Sequence, residues 1–107
     1  MKWKVTYYNE VVANSIGKLP KKVVGKYLRL VIEEFGPNLG MPHTKAMKDG
    51  LFELRIISGE QSARAFYCTL VNREIVILHT IVKKTQKTPK QALEVARNRL
   101  KEIKNEQ

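Results

Sequence analysis

The residues of this chain that could do chemistry are mostly cations. They gather between Asp49 and Pro89: Arg55, Arg64, His79, Lys83, Lys84 and Lys87. The stretch alternates as three short strands ending in a basic turn, and the turns predict a register. Directly opposed residues of an antiparallel pair share a face. With Asn72-Arg73 as a two-residue tip, Val71 faces Glu74, Arg64 lies beside Ile81, Phe66 beside His79 and Tyr67 beside Leu78. A loop of Ser58, Gly59, Glu60 and Gln61 sets Arg55 opposite Arg64. One face then reads Phe52, Leu54, Ile56, Ala63, Ala65, Tyr67, Leu78 and Val82, and is the expected core. The other carries Glu53, Arg55, Arg64, His79 and Lys83. Like charges opposed across strands destabilise a sheet unless a ligand or a counter-charge offsets them. Glu53 is placed to be the counter-charge, and an anion is the ligand such a face would take.

Composition supports an anionic partner. The chain has 107 residues, enough for one domain over residues 1–107 with a single core. Its net charge is +10, which favours a polyanion, most often nucleic acid. Between residues 83 and 104 the balance is +6 of that +10, so the charge is concentrated. Lys48 and Lys90 extend the basic set on either side of the strands.

Other chemistries find little support. The single cysteine, Cys68, permits no internal disulfide, fits a reducing compartment and sits mid-strand as a small core residue. His43 stands in a loop without a Cys or His at metal-ligand spacing, and no G-x-S-x-G occurs. No metal or other cofactor is expected. The start MKWKVTYYNE is amphipathic, and no apolar run approaches a membrane span, so a cytoplasmic protein is expected.

The elements that must position the cations follow in order. Residues 2 to 8 alternate as a strand, and Asn9 caps a short helix over 10 to 18 that should bury Val11, Val12 and Ile16. Pro20 opens a second helix, on which Val23, Val24, Tyr27, Leu28, Leu30, Val31 and Phe35 recur at helical spacing until Gly36-Pro37. A Gly- and Pro-rich connection over 36 to 50 contains one helical turn near Thr44 to Met47. After the strands, Thr88 and Pro89 start a helix over 90 to 104 whose buried stripe is Ala92, Val95, Ala96, Leu100 and Ile103. The expected fold is α+β, in the order β-α-α-β-β-β-α: a small antiparallel sheet with an N-terminal helical hairpin and a C-terminal helix.

The combination of LG-x-P, K-x-M-K-DGLFELR, AR-x-FY, LHTIVKKTQKTP and a final helix with A-x-x-R resembles the HigB-like branch of the RelE/ParE toxin superfamily. These are the toxic halves of bacterial and phage toxin-antitoxin pairs. The resemblance spans nearly the whole chain, and DGLFELR with KKTQKTP is its most specific part. It implies a RelE-like fold and a ribosome-dependent endoribonuclease that cuts mRNA. It also implies a cognate antitoxin, usually encoded beside the toxin and of the helix-turn-helix type. By motif, Arg55, Arg64 and the turn of Lys83, Lys84 and Lys87 match positions where such toxins place phosphate-binding and catalytic residues. Many relatives carry a tyrosine or histidine near the C-terminus, and LKEIKNEQ has neither.

The reaction so implied is in-line attack of a ribose 2'-OH on phosphorus. Arginines suit the phosphorane because a guanidinium offers two parallel hydrogen bonds. Proton transfer falls to His79 or to a lysine whose pKa is lowered by its neighbours. Lys87, Lys90 and Lys48 are the candidates for binding RNA. Arg55 and Arg64 are expected to reach one phosphate together, with little weight in folding. Two alternatives stand beside this reading: a ParE-like toxin that inhibits DNA gyrase without cutting, and a plain basic nucleic-acid-binding module.

Overall fold

A computed structural model describes residues 3–17, 44–58, 61–71, 73–83 and 89–105. Strand β1 (Lys4–Tyr7) leads into helix α1 (Glu10–Gly17). Strands β2 (Thr44–Ala46), β3 (Phe52–Ser58), β4 (Gln61–Leu70) and β5 (Glu74–Lys83) follow, and helix α2 (Lys90–Asn105) ends the described chain. The α+β class is as expected, with a five-stranded sheet in the order β1-β5-β4-β3-β2. The second helix of the expected hairpin, over residues 20 to 35, lies outside the described residues, as do His43 and Thr88.

Two features of the sheet differ from the sequence reading. It is mixed, because β1 pairs with β5 in parallel, Lys4 with Glu74 through Tyr7 with Ile77. Alternation along a strand says which face a residue takes but not which neighbour the strand finds. The expected helical turn near Thr44 is instead the edge strand β2, antiparallel to β3. Residues Lys48, Asp49 and Gly50 all have positive φ and turn the chain back too tightly for a helix. That turn closes with Met47 N-H donating to the Leu51 carbonyl at 2.8 Å.

Helix α1 begins as its residues dictate. The Asn9 side-chain oxygen accepts from the Val12 N-H at 2.9 Å, and Glu10 sits in the positive first turn. Val12 and Ile16 are buried against Leu54, Ile56, Ala63, Ala65, Tyr67, Ile75 and Ile77. Val11, expected inside, points outward and is 72% exposed, since an eight-residue helix on one sheet face buries a narrow stripe. Val82 is 64% exposed. Helix α1 is roughly 12 Å long against roughly 33 Å for β5, so it cannot cover that whole face.

The opposite face is not simply polar. Ala92, Ala96 and Leu100 of α2 pack on Leu51, Phe66, Cys68, Val76 and Leu78, giving a second apolar cluster. Val95 and Ile103, at the margins of the stripe, are half-buried. Leu78 reaches this face through a register shift. The ladder pairs Leu70 with Glu74 and Tyr67 with Ile77, then resumes as Phe66 with His79 and Arg64 with Ile81. The hairpin loop is therefore Val71 to Arg73, closed by Arg73 at φ 58°, and not a two-residue tip. Leu78 is the bulged residue that restores the expected register beyond it. It faces α2 together with His79 and does not pair with Tyr67.

Candidate functional site

Beyond the bulge, β3, β4 and β5 bring the expected residues into two cross-strand rows. One is Arg55, Arg64 and Ile81, and the next is Glu53, Phe66 and His79. Opposed residues share a face, so all six lie on the α2 side. Arg55 does stand opposite Arg64, as the hairpin predicts.

Glu53 joins the two arginines. Its Oε1 lies 2.5 Å from Arg64 Nη1 and 3.6 Å from Arg55 Nε. The carboxylate is 2% exposed, and a buried carboxylate persists only with close, hydrogen-bonded cations. The arginines are consequently unequal. Arg64 is 6% exposed and bonded to Glu53, so the expectation of two similarly available, structurally dispensable arginines is corrected. The Arg55 side chain is 30% exposed and its buried Nε makes no hydrogen bond. It is the half-open member of the pair.

His79 is half-buried, its ring nearly parallel to Phe66 at a centroid distance of 6.5 Å and an interplanar angle of 14°. Burial lowers its pKa, and the positive charge of Arg99 lowers it further. Both effects favour the neutral imidazole, the form that can accept a proton. Arg99 is itself fixed. It donates to the Leu78 carbonyl at 2.6 Å, where the bulge interrupts the ladder, and its guanidinium lies 4.6 Å from the centre of the Tyr8 ring. The Tyr8 hydroxyl in turn bonds Glu102.

A cleft of about 310 Å³ opens beside His79, lined by His79, Ile81, Pro89, Gln91, Ala92 and Val95. It lies between the far end of β5 and the first turns of α2. Lys90 is exposed at that helix start. Lys48 is exposed too, but in the turn beside the other end of α2, where Lys104 donates to the Asp49 carbonyl at 2.7 Å. Lys90 and Lys104 are fourteen residue steps apart along the helix, roughly 21 Å, so Lys48 and Lys90 belong to different surfaces. Lys83 closes β5 opposite Ser62. Lys84 and Lys87 lie outside the described residues.

The basic face of α2 is partly internal. Besides Arg99 and Lys104, Arg97 donates to the Met47 carbonyl at 2.6 Å and lies 3.7 Å from the Asp49 carboxylate. Cys68 is buried as expected, and burial pushes its thiol up to about 11, which makes it a poor nucleophile. Among the described residues no three of His, Cys, Asp and Glu group to hold a metal ion. Among them, too, no helix is long and apolar enough to cross a membrane.

Sequence reasoning did not single out Arg99 or the cleft. Arg99 reads as another surface cation until the bulge exposes a carbonyl to it. The cleft joins a strand end to a helix start, and no local spacing marks it.

The family described as phage derived protein Gp49-like (DUF891) matches residues 14–101. The chain belongs to that family. Gp49-like proteins are a RelE/HigB-like toxin family of toxin-antitoxin systems, so an antitoxin partner is implied. The match runs from α1 to the last turns of α2 and includes Arg55, Arg64, His79 and the cleft. No curated protein matches the chain.

Proposed function

We propose that this Gp49-like protein is the toxin of a type II toxin-antitoxin pair and acts as a ribosome-dependent endoribonuclease of the HigB-like kind. The observation that supports this best is the Arg55-Glu53-Arg64 group on one sheet face beside a half-buried His79 whose neutral form is favoured. Arg55 keeps donors for a phosphate while Glu53 and Arg64 fix the backbone and the carboxylate around it. In the reaction, His79 takes the 2'-OH proton as the oxygen attacks phosphorus. Arg55 neutralises the phosphorane, and a lysine of the Lys83, Lys84 and Lys87 turn protonates the departing 5'-oxygen. Arg64 acts as a positioning residue. No step calls on a metal or another cofactor.

The decisive experiment compares mRNA cleavage on programmed ribosomes by the natural protein and Arg55→Ala. The loss of charge-assisted hydrogen bonds to the phosphorane should cost about 2 to 4 kcal/mol, or roughly two to three decades in rate, with an unchanged thermal melt. Undiminished cleavage by the variant rejects Arg55 as the phosphate ligand. Absence of cleavage by the natural protein, with inhibition of gyrase supercoiling instead, rejects the nuclease reading.

A further inference from the structure

The cleft between β5 and α2 lies next to the phosphate-binding row but is built differently. Ile81, Pro89, Ala92 and Val95 give it apolar walls, while His79 and Gln91 supply polar edges. A site for phosphate alone would need cations, and among the described residues no lysine or arginine lines this one. Pockets for drug-sized ligands run from about 300 to 1,000 Å³, so at about 310 Å³ this one suits a single flat ring system.

Its position relative to Arg55 narrows the occupant further. Arg55, Arg64 and Ile81 are successive partners across β3, β4 and β5. Two strand spacings, about 10 Å, therefore separate the backbone that carries Arg55 from that of Ile81 in the cleft wall. That is the reach of one nucleotide from phosphate to base. His79 offers a flat ring already backed by Phe66, a stacking platform whose position is set before any ligand arrives. The surrounding charge is also suitable, because the chain carries +10 and Lys90 stands at the helix start beside the rim.

We infer that the cleft lined by His79, Ile81, Gln91 and Val95 is a nucleobase subsite, holding one unstacked RNA base while its phosphate lies on Arg55. The inference rests on the nuclease reading for the phosphate and adds the site that holds the base. The apolar walls accept the face of any base. Gln91 is the group able to hydrogen-bond its edge, and so to discriminate between bases.

The test uses the isolated full-length protein and NMR, without ribosomes. AMP and UMP are titrated in parallel with ribose 5-phosphate and inorganic phosphate, following the Ile81 and Val95 methyl signals, the His79 ring and the Arg55 side chain. All four ligands should move Arg55, and only the two nucleotides should move Ile81, Val95 and His79. Val95→Phe, which fills the cleft, should weaken nucleotide binding about tenfold, the worth of one stacked base, and leave inorganic phosphate binding unchanged. Ribose 5-phosphate moving the methyls as the nucleotides do would overturn the subsite. So would nucleotides that leave the methyls still, whether or not Arg55 responds. A third refutation would be Val95→Phe weakening the antitoxin complex while nucleotides leave the cleft untouched, since the occupant would then be a protein side chain. Cleavage on ribosomes is scored separately: a natural protein that cleaves but shows no nucleotide-specific shifts keeps the nuclease reading and loses this one.

Discussion

Glu53 decides what the two arginines can do. Sequence symmetry makes Arg55 and Arg64 look equivalent, since they face each other across one hairpin. The carboxylate breaks that equivalence by taking Arg64 at 2.5 Å and leaving Arg55 at 3.6 Å. Removing one partner of a buried pair leaves the other charge uncompensated, which costs about 3 to 5 kcal/mol. Arg64→Ala should therefore destabilise the fold by about that amount, whereas Arg55→Ala should change it by less than about 1 kcal/mol. Chemical denaturation of both variants checks this. Replacing Arg64 and Glu53 together by leucine should recover most of the loss, because the tightly buried pair is then removed as a unit. Equal stability of the two single alanine variants would show that Arg64 is not held as the geometry requires.

At the scale of elements, α2 does two jobs through residues that read as plain surface charge. Arg99 satisfies the carbonyl at the β5 bulge and so holds the strand next to His79. Arg97 and Lys104 brace the turn between β2 and β3, where Lys48 has φ 80° and Asp49 φ 58°. Left-handed backbone costs a non-glycine residue about 1 to 2 kcal/mol, and a glycine avoids that cost at some loss of chain entropy. Lys48→Gly should accordingly stabilise the protein by about 0.5 to 1 kcal/mol, and Arg97→Ala should destabilise it by about 1 to 2 kcal/mol. Thermal melts of the two variants should move in opposite directions. A Lys48→Gly variant that melts lower would mean the lysine side chain holds the turn. Gly50 suits this turn because its φ of 85° strains any residue with a side chain, whereas the Lys104 Nζ that a Cβ would meet at 3.3 Å is a flexible end able to move aside.

For the whole molecule the governing quantity is charge. A net +10 on 107 residues favours a partner of opposite sign, and the toxin family implies an antitoxin. The expected antitoxin carries an acidic surface over the Arg55 and Lys90 side, so that attraction speeds encounter. Raising salt from about 0.05 to 0.5 M, which shortens the screening length to a few ångströms, should slow association at least tenfold and affect dissociation less. Stopped-flow mixing of the purified pair measures both rates. An association rate indifferent to salt would place the interface on an apolar surface instead.

The sequence by itself determined helix α1, strands β3 to β5 and helix α2, and the pairing of β3 with β4. Asn9 caps α1, alternation defines β3 to β5, and the short loop at residues 58 to 61 sets Arg55 opposite Arg64. These are near-neighbour effects of backbone geometry, so they can be read along the chain. Tertiary structure decided the rest. The parallel β1-β5 pair, the bulge at Leu78 and the docking of α2 over Phe66 all depend on contacts between residues far apart in sequence. No spacing rule revealed that Glu53 would bury itself on Arg64 and leave Arg55 half open. Nor could local pattern show that Arg99 would complete a strand or that Val95 and Ile81 would wall one cleft. Each of those outcomes follows from which desolvated groups find a partner once the helix and sheet have met.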